Sequence, residues 1–213
     1  MILSAILCIQ VCTAAWIPRE EGLSRASNLA RCVWHPRGAL QRAESTMLAF
    51  FLFFTLLVFL VPFTLAPGQV TDLSGRVGNI DNGDQLASMN PLAAAIYWLG
   101  DANCHQIAER SFFLNGNQMP FCARDVSIFA GLVIGSALAL FAIPRPNLWL
   151  VMLGFVPIAL DGGAQIMLDY QSSNLLRAIT GLLAGFCVAM LLHLFATKTF
   201  RKSDLAQPSP DDL

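Results

Sequence analysis

Little of this sequence is charged. Asp, Glu, Lys and Arg make up 13% of its 213 residues, whereas a water-soluble domain carries about 25%. That shortage excludes an ordinary soluble globule. The formal net charge of -1 leaves no basic surface of the kind that neutralises phosphates, so no nucleic-acid partner is expected. Tyrosine is scarce too. Two stand against fifteen phenylalanines, a balance that fits lipid-facing surface better than a polar binding face. A Walker loop, a GxSxG elbow, an HExxH helix and a dinucleotide fingerprint are all missing, which excludes the soluble catalytic machines built on them. Internal repeats and low-complexity tracts are also lacking.

What is present is apolar and gathered into runs. Hydrophobic residues make up 55% of the chain, and the mean hydropathy is +0.58. A membrane-spanning helix needs about 20 consecutive apolar residues. Met47 to Ala66 meets that requirement without a single charge. Val126 to Ile143 is the second such run, bounded by Asp125 and by Pro144, Arg145 and Pro146. The third, from Leu148 to about Leu168, contains Pro157 and Asp161. The fourth, Leu175 to Ala196, leads into a tail with Lys198, Arg201 and Lys202. The shorter run Leu92–Leu99 cannot span and reads as an interfacial or re-entrant helix, with Tyr97 and Trp98 suited to the headgroup zone. Pro67 to Pro91 is rich in Gly, Asp and Asn and reads as an exposed loop.

The expected fold is therefore an all-α membrane protein. It has about four transmembrane helices, a short re-entrant or interfacial helix and an ordered extracytoplasmic loop. The divisions are residues 1–46, a first span at 47–66, the extracytoplasmic segment 67–125, a three-helix membrane core 126–196 and a cytoplasmic tail 197–213. Residues 1–46 lack a helical or strand period. Met1 to Trp16 resembles a signal-peptide core without the positive n-region, and the next thirty residues hold five arginines and no lysine. A start codon placed too early, with Met47 as the first residue, is preferred over an N-terminal span or arm. Lys198, Arg201 and Lys202 in the tail, with Arg145 in the turn between spans two and three, put both termini on the cytoplasmic side. The turn from Tyr170 to Asn174 then lies outside with the long loop.

The chemistry gathers on that outer side. Asn103 to Asp125 reads NCHQIAERSFFLNGNQMPFCARD and holds Cys104, His105, Gln106, Glu109, Arg110, Gln118, Cys122, Arg124 and Asp125. The third span brings Asp161 and Gln165 to this face, and the fourth leaves it through Asn174 and Arg177. An ionisable group inside a span costs several kcal/mol unless it is paired or faces a cavity, which makes Asp161 the strongest single signal. Gln165 lies four residues on, on the same helix face. Pro157 removes the backbone bond to Leu153, and Gly162 and Gly163 loosen the turn after Asp161, so a kinked or partly unwound helix is expected. The structural alternative is an Asp161–Arg177 pair closing two helices.

Cys104 and Cys122 support more than one reading. In an oxidising compartment they form a disulfide. With His105 and a carboxylate they hold zinc or another soft metal, which requires a bent backbone for adjacent Cys and His to ligate together. Lowered by Arg110 or Arg124, one of them is a reactive thiolate. The disulfide is preferred to the metal, because a fourth ligand is not evident. Gly131/Gly135 and Gly181/Gly185 are small-xxx-small spacings that let helices approach closely, a packing role that also offers a face for a homo-oligomer. His193, in the last apolar run, reads as a satisfied or snorkelling histidine, and Cys187 as core.

The run CHQIAERSFFLNGNQMPFCARD, with ALDGGAQ and SSNLLRAITGLLAG after it, resembles the prokaryotic integral membrane proteins grouped as domain of unknown function 2085. The resemblance covers roughly Ile96 to Gly185. Its motifs fall on Cys104, His105, Gln106, Arg110, Ser111, Gln118, Met119, Pro120, Cys122, Ala123, Arg124, Asp161, Gly162, Gln165, Ser173, Asn174 and Arg177. Many members have a further Cys after the Ala-Arg and then Thr-Gly-Ile. This chain has Asp125, Val126 and Ser127 there. The resemblance implies a membrane protein and carries no activity with it.

Three functions follow as expectations. The first is a membrane-embedded enzyme acting on a lipid or small amphiphile near the outer face. Its catalytic groups would be His105, Asp161 and Arg177, its binding groups Gln106, Arg110, Gln118, Arg124, Gln165 and Asn174, and Cys104 and Cys122 its thiols or metal ligands. The second is a small-solute or ion transporter centred on Asp161. The third is a structural membrane component stapled by Cys104–Cys122. The mixture of acid, base and amide groups on one face favours a site over a strut.

Overall fold

The computed structural model describes residues 38–141, 146–168 and 171–206. The expected turn around Arg145, Tyr170 within the other turn, and nearly all of the N-terminal segment lie outside them. The chain divides into two units, residues 1–42 and 43–213. Of the first, only the opening of a helix is described.

Apolar length produces the framework. Helix α1 (Gly38–Leu60) runs into a 3-10 turn, Val61–Thr64, at Pro62, which has no N–H to offer the helix. The helical stretch Leu40–Thr64 contains a window long and apolar enough to cross a membrane, and the helix itself begins upstream of Met47. Phe50, Phe53, Leu56, Leu60 and Phe63 are exposed at helical spacing, a face that lipid would cover.

The long connection is less exposed than its composition suggests. After the short helix α2 (Gly83–Ala87) comes α3 (Pro91–Asn103), capped at its start by the Asn90 side chain, which accepts from Ala93 N–H. Strands β1 (Ser111–Leu114) and β2 (Asn117–Cys122) then form an antiparallel hairpin. Asn115 and Gly116, at φ 55° and 70°, make its turn, conformations that Asn and Gly tolerate best. Val70 and Leu73 of the expected exposed loop are buried against this hairpin. Val70 accepts from Gln118 N–H at 2.7 Å. Tyr97 is also buried rather than set at a headgroup level. Its hydroxyl donates to the Gln118 carbonyl at 2.6 Å, while Trp98 stays half exposed.

The remaining spans are α4 (Ala123–Phe141), a third span made of α5 (Leu148–Leu153) and α6 (Val156–Met167), and α7 (Asn174–Ala206). With α1 they give the expected four helices long and apolar enough to cross a membrane. The hairpin is the one addition to the all-α expectation among the described residues. The third span breaks at Gly154 and Phe155, just before Pro157, as that proline predicts. Past Asp161 the expectation of unwinding is corrected. The helix continues to Met167 through both glycines.

Helices α4 and α7 form the tightest contact. A Cβ on Gly131 would overlap the backbone of Leu182 and Phe186, and one on Gly185 would overlap that of Ile128. Gly135 faces Phe186 and Ala189, and Gly181 faces the Arg124 carbonyl. All four glycines are thus filled by the chain itself. The faces expected to serve a homo-oligomer are occupied by the α4–α7 contact within the chain. Phe54, Phe121 and Phe129 stack edge to face at 5.1–6.3 Å and join α1, β2 and α4.

Candidate functional site

Four helix ends and the long loop meet on one side. The C-terminal end of α6 and the N-terminal ends of α4 and α7 lie there, beneath the turn between α3 and β1. Cys104 ends α3 in an extended conformation, and Gln106 then takes a φ of 45°, unusual for a residue with a side chain. The chain therefore changes direction just after the adjacent Cys104 and His105. A ring nitrogen of His105 and the sulfurs of Cys104 and Cys122 all lie within 4.8 Å of one another. Ile107 N–H donates to His105 Nδ1 at 3.3 Å, which keeps that nitrogen an acceptor.

Cys104 and Cys122 are buried and stand as free thiols. The Cys122 N–H donates to Cys104 Sγ at 3.3 Å, and Asp125 Oδ2 lies 3.3 Å from Cys122 Sγ. The two thiols share a hydrogen bond. That bond, with burial, pushes the Cys104 pKa up. It draws the Cys122 pKa down, against burial and the charge of Asp125. Cys122 also precedes the first turn of a 19-residue helix, where negative charge is favoured. Of the two, Cys122 is the more readily ionised. Burial lowers the pKa of His105, and the positive charges of Arg110, Arg177 and Arg124 lower it further, with Asp125 opposing. Its imidazole is neutral at pH 7.

The arginines complete the cluster. Arg124, in the first turn of α4, forms an ion pair with Asp161 of α6. Arg124, not Arg177, is therefore the partner of Asp161, and the expected Asp161–Arg177 pair is corrected. Arg177 lies one turn into α7, where its Nη1 donates to Asn174 Oδ1 at 3.2 Å. Asn174 in turn donates to the Ser111 carbonyl at 3.4 Å, tying α7 to β1. Gln165 Nε2 lies 3.1 Å from both Asp161 Oδ2 and Ser172 Oγ. Buried atoms remain without a partner among the described residues: Arg124 Nε, Arg177 Nη2 and Asp161 Oδ1. Two unspent guanidinium donors near the His105 imidazole can receive an anion. A pocket of about 200 Å³ opens next to Asp125, lined by Asn103, Phe121, Ile128 and Phe129.

Cys104, His105, Cys122, Arg110, Arg124, Asp161, Gln165, Asn174 and Arg177 thus share one neighbourhood. Gln106 and Gln118 do not open onto it. Gln106 donates to the Pro120 carbonyl at 2.7 Å and accepts from Asn82 Nδ2 at 3.1 Å. Gln118 donates to the Gln106 carbonyl at 2.6 Å and accepts from Leu73 N–H at 2.8 Å. Both are fully buried, and their amides hold the loop in shape. Asp101, also buried, accepts from Asn82 N–H at 2.9 Å and Asn82 Nδ2 at 2.7 Å in the same network. A separate polar pair lies at the other end of the helices, where His193 Nδ1 donates to Glu44 Oε1 at 2.6 Å, both side chains buried.

The sequence model of the family described as predicted membrane protein, domain of unknown function 2085 (DUF2085), matches residues 104–191. That stretch contains every residue of the cluster. An uncharacterised protein of Methanocaldococcus jannaschii is 30% identical over 158 residues, covering 71% of this chain and 92% of that protein. An uncharacterised protein of Methanothermobacter thermautotrophicus is 36% identical over 92 residues, covering 41% of this chain and 82% of that one. No solved structure matches the chain.

Proposed function

Because the chain belongs to the DUF2085 family of predicted membrane proteins, we propose that its polar cluster is a membrane-embedded enzyme site for an anionic amphiphile, a lipid or a small acid with an apolar tail. The observation that carries this reading is the set of unspent donors on Arg124 and Arg177 next to the Cys–His cluster. Buried guanidinium N–H groups cost free energy when unpaired, and a bound anionic headgroup would satisfy them. The adjoining pocket supports the apolar half of the ligand. At about 200 Å³ it is smaller than the roughly 300–1,000 Å³ that encloses a drug-sized molecule, so it would take one end of the ligand and leave the rest to lipid.

In this reading Arg124 and Arg177 bind the headgroup. Asp161 is a positioning residue, because its carboxylate fixes Arg124. His105, beside the anion, can take up a proton when its ring nitrogen is free. The loop faces the extracytoplasmic side, following the positive residues of the tail.

The test is photolabelling in nanodiscs with photoactivatable phosphatidylglycerol and phosphatidylcholine. The anionic probe should mark peptides around Cys122 and Arg177 more strongly than the zwitterionic one, and Arg177→Gln should remove the difference. Equal marking by the two probes would contradict the reading.

A further inference from the structure

The sulfurs of Cys104 and Cys122 and a ring nitrogen of His105 occupy one small volume, within 4.8 Å of one another. We propose that these three residues hold a zinc ion, or a soft divalent transition metal of the same preference, with Asp125 or solvent in the fourth position. Zinc bonds of about 2.3 Å to sulfur and 2.0–2.1 Å to nitrogen place the ligand atoms of a tetrahedral site about 3.5–3.8 Å apart. The cluster needs to contract by only about an ångström to reach that spacing.

The backbone already has the shape such a site requires. The φ of 45° at Gln106 turns the chain sharply just after His105. Gly100, one turn before Cys104, has no room for a Cβ, which would run into the Pro120 carbonyl and the Gln106 amide, so the end of α3 is locked against β2. The sulfurs are also supported from behind. Cys122 N–H donates to Cys104 Sγ at 3.3 Å. Gln106 N–H reaches Cys104 as well, and Asp125 N–H reaches Cys122. Backbone donors to the ligating atoms hold metal thiolates in place.

The donor set discriminates between the readings of the cysteine pair. A disulfide would join the two sulfurs and leave His105 and Asp125 beside them without a role. A buried apolar pair would not gather an imidazole and a carboxylate, with Asp125 Oδ2 3.3 Å from Cys122 Sγ. A metal uses both sulfurs and the imidazole together. Two cysteines and one histidine with an open or exchangeable fourth position is a pattern of catalytic zinc rather than of closed structural sites. The inference shares its location with the amphiphile site but not its premise, because metal content is read without any amphiphile.

The full chain, purified in detergent without chelators, is assayed by inductively coupled plasma mass spectrometry. About one zinc per chain is expected, lost in Cys104→Ala, Cys122→Ala and His105→Ala and kept in Cys187→Ala. Because the ligand variants alter buried positions, the wild type is also stripped with a chelator and reloaded with cobalt(II). A thiolate-to-cobalt charge-transfer band and the intense visible absorption of four-coordinate cobalt are expected. A metal-free wild type without that band overturns the proposal. So does zinc retained in all three ligand variants, or a disulfide-linked Cys104–Cys122 peptide in a non-reducing digest. Zinc present without selective photolabelling sinks the amphiphile reading alone, and photolabelling without zinc sinks this one alone.

Discussion

Substituting Asp161 and Arg124 singly and together measures how the third span is tied to the loop end. Removing one partner of a buried ion pair costs about 3–5 kcal/mol, chiefly because the other charge is stranded. Here the two sides are unequal. The Asp161 side chain is 3% exposed and that of Arg124 23%. In Asp161→Ala the guanidinium can turn toward water, which places the cost at the low end, about 3 kcal/mol or less. Arg124→Ala leaves a buried carboxylate with only Gln165 to donate to it, so its cost falls at the high end, about 5 kcal/mol. A loss of about 3 kcal/mol corresponds to roughly 6–12 °C in Tm for a chain of this size. The double variant should be less destabilised than the sum, by about 1–3 kcal/mol. Thermal unfolding in detergent, followed by circular dichroism, supplies all four corners of the cycle. The cycle with Arg177→Ala in place of Arg124→Ala should show the smaller coupling, since Arg177 bonds Asn174 instead. Additivity between Asp161 and Arg124, or stronger coupling to Arg177, would refute the assignment.

Three further outcomes are expected. Gln118→Ala strands the Leu73 N–H and the Gln106 carbonyl and should cost about 2–4 kcal/mol, read as a lower Tm together with faster proteolysis of residues 67–91. Wild-type resistance would show that the amide does not hold the loop. Glu44→Ala removes the partner of buried His193 and should cost about 3 kcal/mol; an unchanged Tm would mean that the pair adds nothing. For orientation, a cysteine at the exposed Asn79 should react with a membrane-impermeant maleimide in intact cells, whereas Lys198→Cys should react only after lysis, and the reverse pattern would invert the topology.

The spans were legible because lipid leaves a chain few options: charge-free stretches of sufficient length have to be helices. Pro157 likewise predicted the break in the third span. The hairpin was legible and went unread. Asn115-Gly116 between Phe113 and Gln118 is a two-residue turn signal, although the polar residues around it point first to chemistry. Gln106 and Gln118 show the limit of such pointers. An amide has the same donors and acceptor whether it meets a ligand or the backbone of its own loop, and only the packing of Val70, Leu73 and Pro120 decides which. The partner of Asp161 could not be read for a similar reason. Arg110, Arg124 and Arg177 all approach one face, and only the packing of α4 against α6 decides that Arg124 reaches Asp161. Glu44 fell in a segment without apolar periodicity, so its bond to His193 left no trace in the pattern.

The central claim is that an anionic headgroup binds beside the cysteines, and the most direct measurement of it is their protection from alkylation. The rate at which N-ethylmaleimide modifies Cys104 and Cys122 is followed by peptide mass spectrometry in nanodiscs of phosphatidylglycerol or phosphatidylcholine. Chelator is present throughout, and buried Cys187 serves as an internal reference. Slower modification of both cysteines in the anionic discs is predicted, with the rate restored by Arg177→Gln. Equal rates in the two kinds of disc would contradict the claim.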